Sequence, residues 1–97
     1  MKVDKLKRGD IVEVHWLDAA IDDKVPFREL DQREEPGPDV SWGIVLSAWG
    51  KYLGLLQTLS TDTPRSNGNV ILWVPQGMIE KVIRLGHHDI PRLEGSR

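Results

Sequence analysis

Val74-Pro75-Gln76-Gly77-Met78-Ile79-Glu80-Lys81-Val82-Ile83-Arg84-Leu85 is the stretch that decides the fold. Val74 closes a run of β-formers. Pro75 presets a turn, Gly77 relaxes it, and the spacing predicts a single turn of 3-10 helix. Lys81 to Leu85 then reads as a short closing strand. The two apolar residues in the turn, Met78 and Ile79, are expected to plug the core. The natural partner of the closing strand is the opening strand Asp10 to Leu17, launched by Lys7-Arg8-Gly9. Strand, one tight turn and a closing strand returning to the first is the way a small, mainly β barrel ends.

Working outward, Ile11-Val12-Glu13-Val14-His15-Trp16-Leu17 alternates, with Val12, Val14 and Trp16 on one face. Period two with β-branched residues predicts a half-buried strand. Val40 to Ala48 predicts a second strand, in which Trp42, Ile44 and Leu46 share one face and Gly43, Val45 and Ser47 the other. Gly43 implies a bend or a close backbone approach. Trp49-Gly50-Lys51 is a hairpin turn into a third strand, Tyr52 to Leu59. Asn67-Gly68 is a strong turn signal before a fourth strand, Val70 to Val74. Five short strands joined by turns predict a partly open barrel. Residues 1–8 are a basic lead-in, residues 9–85 the single domain, and residues 86–97 a flexible tail.

The longest connection, residues 18–40, follows the first strand. Pro26-Phe27-Arg28-Glu29-Leu30-Asp31-Gln32-Arg33 has the composition of two helical turns, with Pro26 at a first helical position. Phe27 and Leu30, three apart, would share a face and cap the barrel. This connection is also where the charge lies. Residues 18–39 hold eight acids and three bases, a balance of −5, and the remainder holds seven acids and ten bases, +3. The body is mildly basic and one loop strongly acidic, which is not the single-sign patch of a duplex-DNA binder.

Ninety-seven residues suit one domain, with a modest core and no deep cleft beside it. The chain has no cysteine, so disulfides, thiolate metal sites and thiol catalysis are excluded. No apolar run approaches the ~18 residues of a membrane helix. No apolar region stands behind Met1-Lys2-Val3-Asp4-Lys5, so no secretory signal is expected and the reading is cytoplasmic, without a membrane partner.

Four tryptophans stand out: Trp16, Trp42, Trp49 and Trp73. Trp16 and Trp42 run in phase with strand aliphatics and are expected in the core. Trp49 sits at a hairpin tip and is expected to be exposed. Trp73 is read as facing outward, which would join Trp49, Tyr52 and Trp73 in an aromatic patch. Asp18, Asp22 and Asp23 lack the glycine-pivoted ligand order of a calcium loop. His87-His88-Asp89 on a tail does not supply three anchored metal ligands. No Gly-rich phosphate loop, His-Glu-x-x-His or Gly-x-Ser-x-Gly is present. Neither an enzyme nor a cofactor is expected.

These elements resemble SH3-like barrels, whose long loop after the first strand often forms part of a binding surface. The chain also resembles small uncharacterised proteins of bacteriophages and prophages. The likeness rests on Val14-His15-Trp16-Leu17-Asp18, on Ser41-Trp42-Gly43-Ile44-Val45-Leu46, and on Val74-Pro75-Gln76-Gly77-Met78-Ile79 leading to Val82-Ile83-Arg84-Leu85. It spans roughly residues 8–85. It departs at Trp49-Gly50-Lys51-Tyr52, where such proteins are acidic. The resemblance implies a phage setting and the host cytoplasm, and no activity.

The expected function is therefore a non-catalytic module that engages a host or phage protein. Its candidate contacts are Trp49, Tyr52 and Trp73 with Asp22, Asp23, Phe27, Glu34 and Glu35 of the acidic loop. One alternative is a nucleic-acid-binding barrel, which needs Lys2, Lys5, Lys7, Arg8, Lys51, Arg65, Lys81 and Arg84 to gather on one face. A second is a homo-oligomeric structural or sequestering protein, pairing through exposed strand edges.

Overall fold

The computed structural model describes residues 3–18, 23–32, 35, 37–60 and 67–91. β1 (Asp10–Trp16) pairs antiparallel with β2 (Asp39–Ser47), which pairs with β3 (Tyr52–Thr58), which pairs with β4 (Val70–Pro75). β5 (Ile79–His87) returns to the other side of β1. The result is one five-stranded antiparallel sheet in the order β4-β3-β2-β1-β5, with little helix. Short 3-10 segments occur at Val3–Lys5, Phe27–Gln32 and Gln76–Met78. The mainly β reading and the 3-10 turn before the last strand both hold. That last strand was expected to end at Leu85, but it continues through Gly86 and His87.

The turn at Gln76–Met78 has a geometric consequence. In a flat sheet the edges β4 and β5 would lie roughly 19 Å apart, four strand spacings of 4.7–4.9 Å. Three residues of 3-10 helix rise only about 6 Å. The sheet must therefore curl so that its edges approach. Register shifts supply the curl. The ladders skip a residue at Leu46 of β2, at Gln57 of β3 and at Glu80 and Leu85 of β5. Extra residues of this kind bend the strand that carries them. No ladder joins β4 to β5, so the sheet curls without closing into a barrel.

The core lies on one face. Val12, Val14 and Trp16 meet Val45, Leu53, Leu55, Val74 and Val82 there. The register aligns Val14 with Val82, Val45 with Leu55, and Leu53 with Val74. Leu6 joins this cluster and Val3 packs against it, so the basic lead-in is anchored by its apolar residues. Ile79 also packs against the core, but Met78 is half exposed, so only one of the two turn residues plugs it.

Two further expectations are corrected. Trp42 is 54% exposed, not buried. In β2 the inward face is the one holding Gly43 and Val45. A Cβ at position 43 would lie 2.9 Å from Leu55 Cβ, so β2 packs against β3 too closely for a side chain there. The bulky Trp42-Ile44 set takes the outer face. Phe27 and Leu30 are exposed, and their 3-10 segment buries nothing, so it does not cap the core.

Candidate functional site

The outer face of the sheet is unusually apolar. Alternation puts Tyr52, Gly54 and Leu56 of β3 opposite the buried Leu53 and Leu55. The register aligns Ile44, Leu56 and Ile71 in one cross-strand row on that face. Leu56 is buried by its neighbours although it points away from the core. Gly54 pairs with Trp73, and a Cβ there would sit 2.7 Å from Trp73 Cζ3. The indole thus lies against the glycine backbone, with half its surface in solvent. Tyr52 is two residues from Gly54 on the same face. Tyr52 and Trp73 are thus diagonal neighbours in the β3–β4 register.

Trp49 is 82% exposed at the β2–β3 hairpin, where Gly50 adopts φ +82° to close the turn. Gln76 ties this hairpin to the closing turn: its backbone N–H donates to Lys51 O at 2.8 Å, and its Nε2 donates to Tyr52 O at 3.2 Å. Trp42 extends the outer face on β2. Its indole N–H donates to Glu13 Oε1 at 2.9 Å, while Glu13 Oε2 and His15 Nε2 lie 2.7 Å apart. His15 first, and Trp42 next, hold the Glu13 carboxyl below its ordinary pKa. Of the six aromatic residues, five are about half exposed or more, and only Trp16 is buried.

The acidic loop contributes differently. Asp23, Phe27 and Glu35 are exposed, and no hydrogen bond or ion pair joins them to the aromatic face among the described residues. Asp22 and Glu34 lie outside the described residues. Among the described residues, no group of three His, Asp or Glu side chains is placed to hold a metal ion.

A second polar cluster was not anticipated. Asp10 is 2% exposed. Its Oδ2 accepts the Lys7 backbone N–H at 2.8 Å. Its Oδ1 accepts His87 Nδ1–H at 2.7 Å and Arg84 Nε–H at 3.1 Å. Burial pushes the Asp10 carboxyl up, but these three partners together hold it down at about 2. The other ring nitrogen of His87 lies 2.7 Å from Asp89 Oδ1. A ring that donates from both nitrogens is the imidazolium, and Asp10 first and Asp89 second raise its pKa. Gly9, at φ +98°, shapes the turn beneath, and His88 N–H donates to its carbonyl at 2.8 Å. The local signal for this cluster was the Lys7-Arg8-Gly9-Asp10 turn, whereas Arg84, His87 and Asp89 come from the far end of the chain.

No protein-family model, curated protein or solved structure matches the chain. The site is therefore read from its own geometry: an open antiparallel sheet with an aromatic outer face and a charged cluster at one end.

Proposed function

We propose that this chain is a non-catalytic binding module of SH3-like build, holding a protein partner against its aromatic outer face. The SH3-like reading is supported by the strand order, the long connection after β1 and the 3-10 turn before β5. The binding reading rests on one observation. Tyr52 and Trp73 share a face, Trp42 lies on the same face of β2 and Trp49 stands in the β2–β3 hairpin, all about half exposed or more. Burying an aromatic side chain is among the most favourable steps in folding, so exposing five of six in a small domain needs a purpose. Rigid aromatics of this kind are the usual hot spots of protein interfaces. The acidic loop would steer a basic segment of the partner toward them. On the resemblance to phage proteins, that partner is a host or phage protein of the bacterial cytoplasm.

Affinity capture with Trp49→Ala beside the parent chain tests this. Trp49 lies at a hairpin tip, so the variant is expected to fold normally and to lose about 2 kcal/mol of binding, roughly thirtyfold in affinity. Capture of the same partner at undiminished affinity would reject the surface.

A further inference from the structure

The Asp10 cluster opens into a recess of about 540 Å³ lined by Lys5, Lys7, Asp10, Arg84 and His87. Part of this arrangement is explained by holding the strands together. Asp10 receives His87, Arg84 Nε and the Lys7 backbone, which fastens the end of β5 to the start of β1. That role does not use the Lys5 and Lys7 ammonium groups, nor the Nη atoms of Arg84. None of these has a partner among the described residues. Lys5 and Lys7 are exposed, and Arg84 is 47% exposed at the rim. The charge does not cancel either. Lys5, Lys7 and Arg84 stand against Asp10 and Asp89, leaving one net positive charge even with histidine counted neutral, in a molecule whose overall balance on the same count is −2, and the His87 imidazolium adds a second.

We propose that this recess is a binding site for a tetrahedral oxyanion of the phosphate class. Asp10 is the positioning residue. By taking Nε of Arg84, it turns the two Nη groups outward as a fork of donors, the geometry that pairs with two oxygens of a phosphate. Three donors already occupy its two oxygens, and two of them are cationic, so its charge is matched before an anion arrives. Lys5 and Lys7 add mobile ammonium groups from the lead-in, which is held in place by Leu6 in the core. Three of the eight cations that a nucleic-acid face would require, Lys5, Lys7 and Arg84, gather here. The phosphate can thus come free in solution or as part of a phosphodiester backbone, with the same chemistry.

The test is a titration of the isotopically labelled full chain, following backbone amides at low ionic strength with sodium sulfate and with inorganic phosphate. Sodium chloride at matched ionic strength is the control. Saturable shifts at Lys7, Asp10 and Arg84, with dissociation constants on the order of millimolar, are expected. Lys5→Ala with Lys7→Ala removes two charges but keeps the Lys7 backbone bond to Asp10, so the chain stays folded. Affinity should fall about tenfold or more. Sulfate keeps its charge across neutral pH, so its affinity should fall as the His87 imidazolium, flanked by Asp10, Asp89, Arg84, Lys5 and Lys7, loses its proton. A thymidine oligonucleotide separates the sources. Tighter binding than phosphate at these amides assigns a phosphodiester, and weaker binding assigns the free anion. Shifts that match chloride, or an unchanged affinity in the double variant, would overturn the site. Trp49→Ala should leave sulfate binding intact, so this proposal and the aromatic surface fail separately.

Discussion

Asp10 and His87 stand 77 positions apart in the chain and share a hydrogen bond of 2.7 Å. Asp10 opens β1, and His87 ends β5 as its direct register partner. The pair therefore fixes where the last strand stops against the first. Arg84 reaches the same oxygen from the residue aligned with Val12, across the shift that leaves Leu85 unpaired. The charged cluster and the bulge form one device, pinning the register at the end of the β1–β5 ladder.

Replacing Asp10 with Asn is expected to destabilise the domain by about 2–4 kcal/mol. The amide keeps an acceptor for the Lys7 N–H but loses the charge that matches Arg84 and His87, and breaking a buried ionic group costs in this range. Urea unfolding should show a lower midpoint at unchanged slope. A loss under ~0.5 kcal/mol, the range of ordinary surface substitutions, would show that the cluster does not hold the strands.

Stability should depend on pH in two separate windows. The folded-state pKa of His87 is raised, so its contribution is complete below 6.5 and fades as pH rises through the higher folded value. That of Asp10 is depressed, so its contribution is present above 3.8 and fades as pH falls toward about 2. Glu13 adds to the same acidic limb, below its ordinary 4.5. The melting temperature should thus be highest between the two windows. His87→Gln should flatten the alkaline limb and leave a midpoint fall below pH 4. An alkaline limb unchanged in that variant would assign it to another group.

The alternation of Val12, Val14 and Trp16 was enough to place β1 and its buried face, and Pro75-Gln76-Gly77 was enough to place the turn. Trp42 shows where such reading stops. A strand with large residues on one phase and Gly43 on the other looks buried on the large side. The reverse holds because the neighbouring strand approaches the glycine too closely for a side chain. That approach depends on tertiary packing and has no local signature. The exposure of Trp49 and Trp73 was legible because hairpin tips and strand phase are local properties. The Asp10 cluster was not, since His87 and Arg84 reach Asp10 only through the curl of the whole sheet. Phe27 and Leu30 had the spacing of a packed face, but spacing does not supply a surface to pack on.

Gly54→Ala is expected to displace Trp73. The new Cβ would lie 2.7 Å from Cζ3 and 3.2 Å from Cε3 and Cη2, so the indole must lift from the sheet. Overpacking of this kind costs about 1–3 kcal/mol, offset by roughly 0.5–1 kcal/mol from removing a glycine from a strand. A net loss of about 1 kcal/mol should accompany a marked shift of the Trp73 indole resonance. An unmoved resonance would show that the ring does not rest on Gly54.

The two strand tryptophans that look alike in sequence should behave oppositely. Trp16 is 8% exposed among Val12, Val14 and the facing strands, and its indole N–H donates to Ser41 Oγ at 3.0 Å. Trp16→Ala removes a large buried side chain and is expected to cost about 3–5 kcal/mol, enough to unfold much of a small domain. Trp42→Ala removes a ring that is more than half in solvent, together with one hydrogen bond to Glu13. Its cost should stay near 1 kcal/mol. Because losing that bond also removes one of the groups depressing Glu13, Glu13 loses less stability on acidification and the acidic limb of the profile should be shallower in this variant alone. Denaturant midpoints for both variants, taken at neutral and at acidic pH, separate the outcomes. Equal losses for the two residues would mean that β2 presents Trp42 to the core after all.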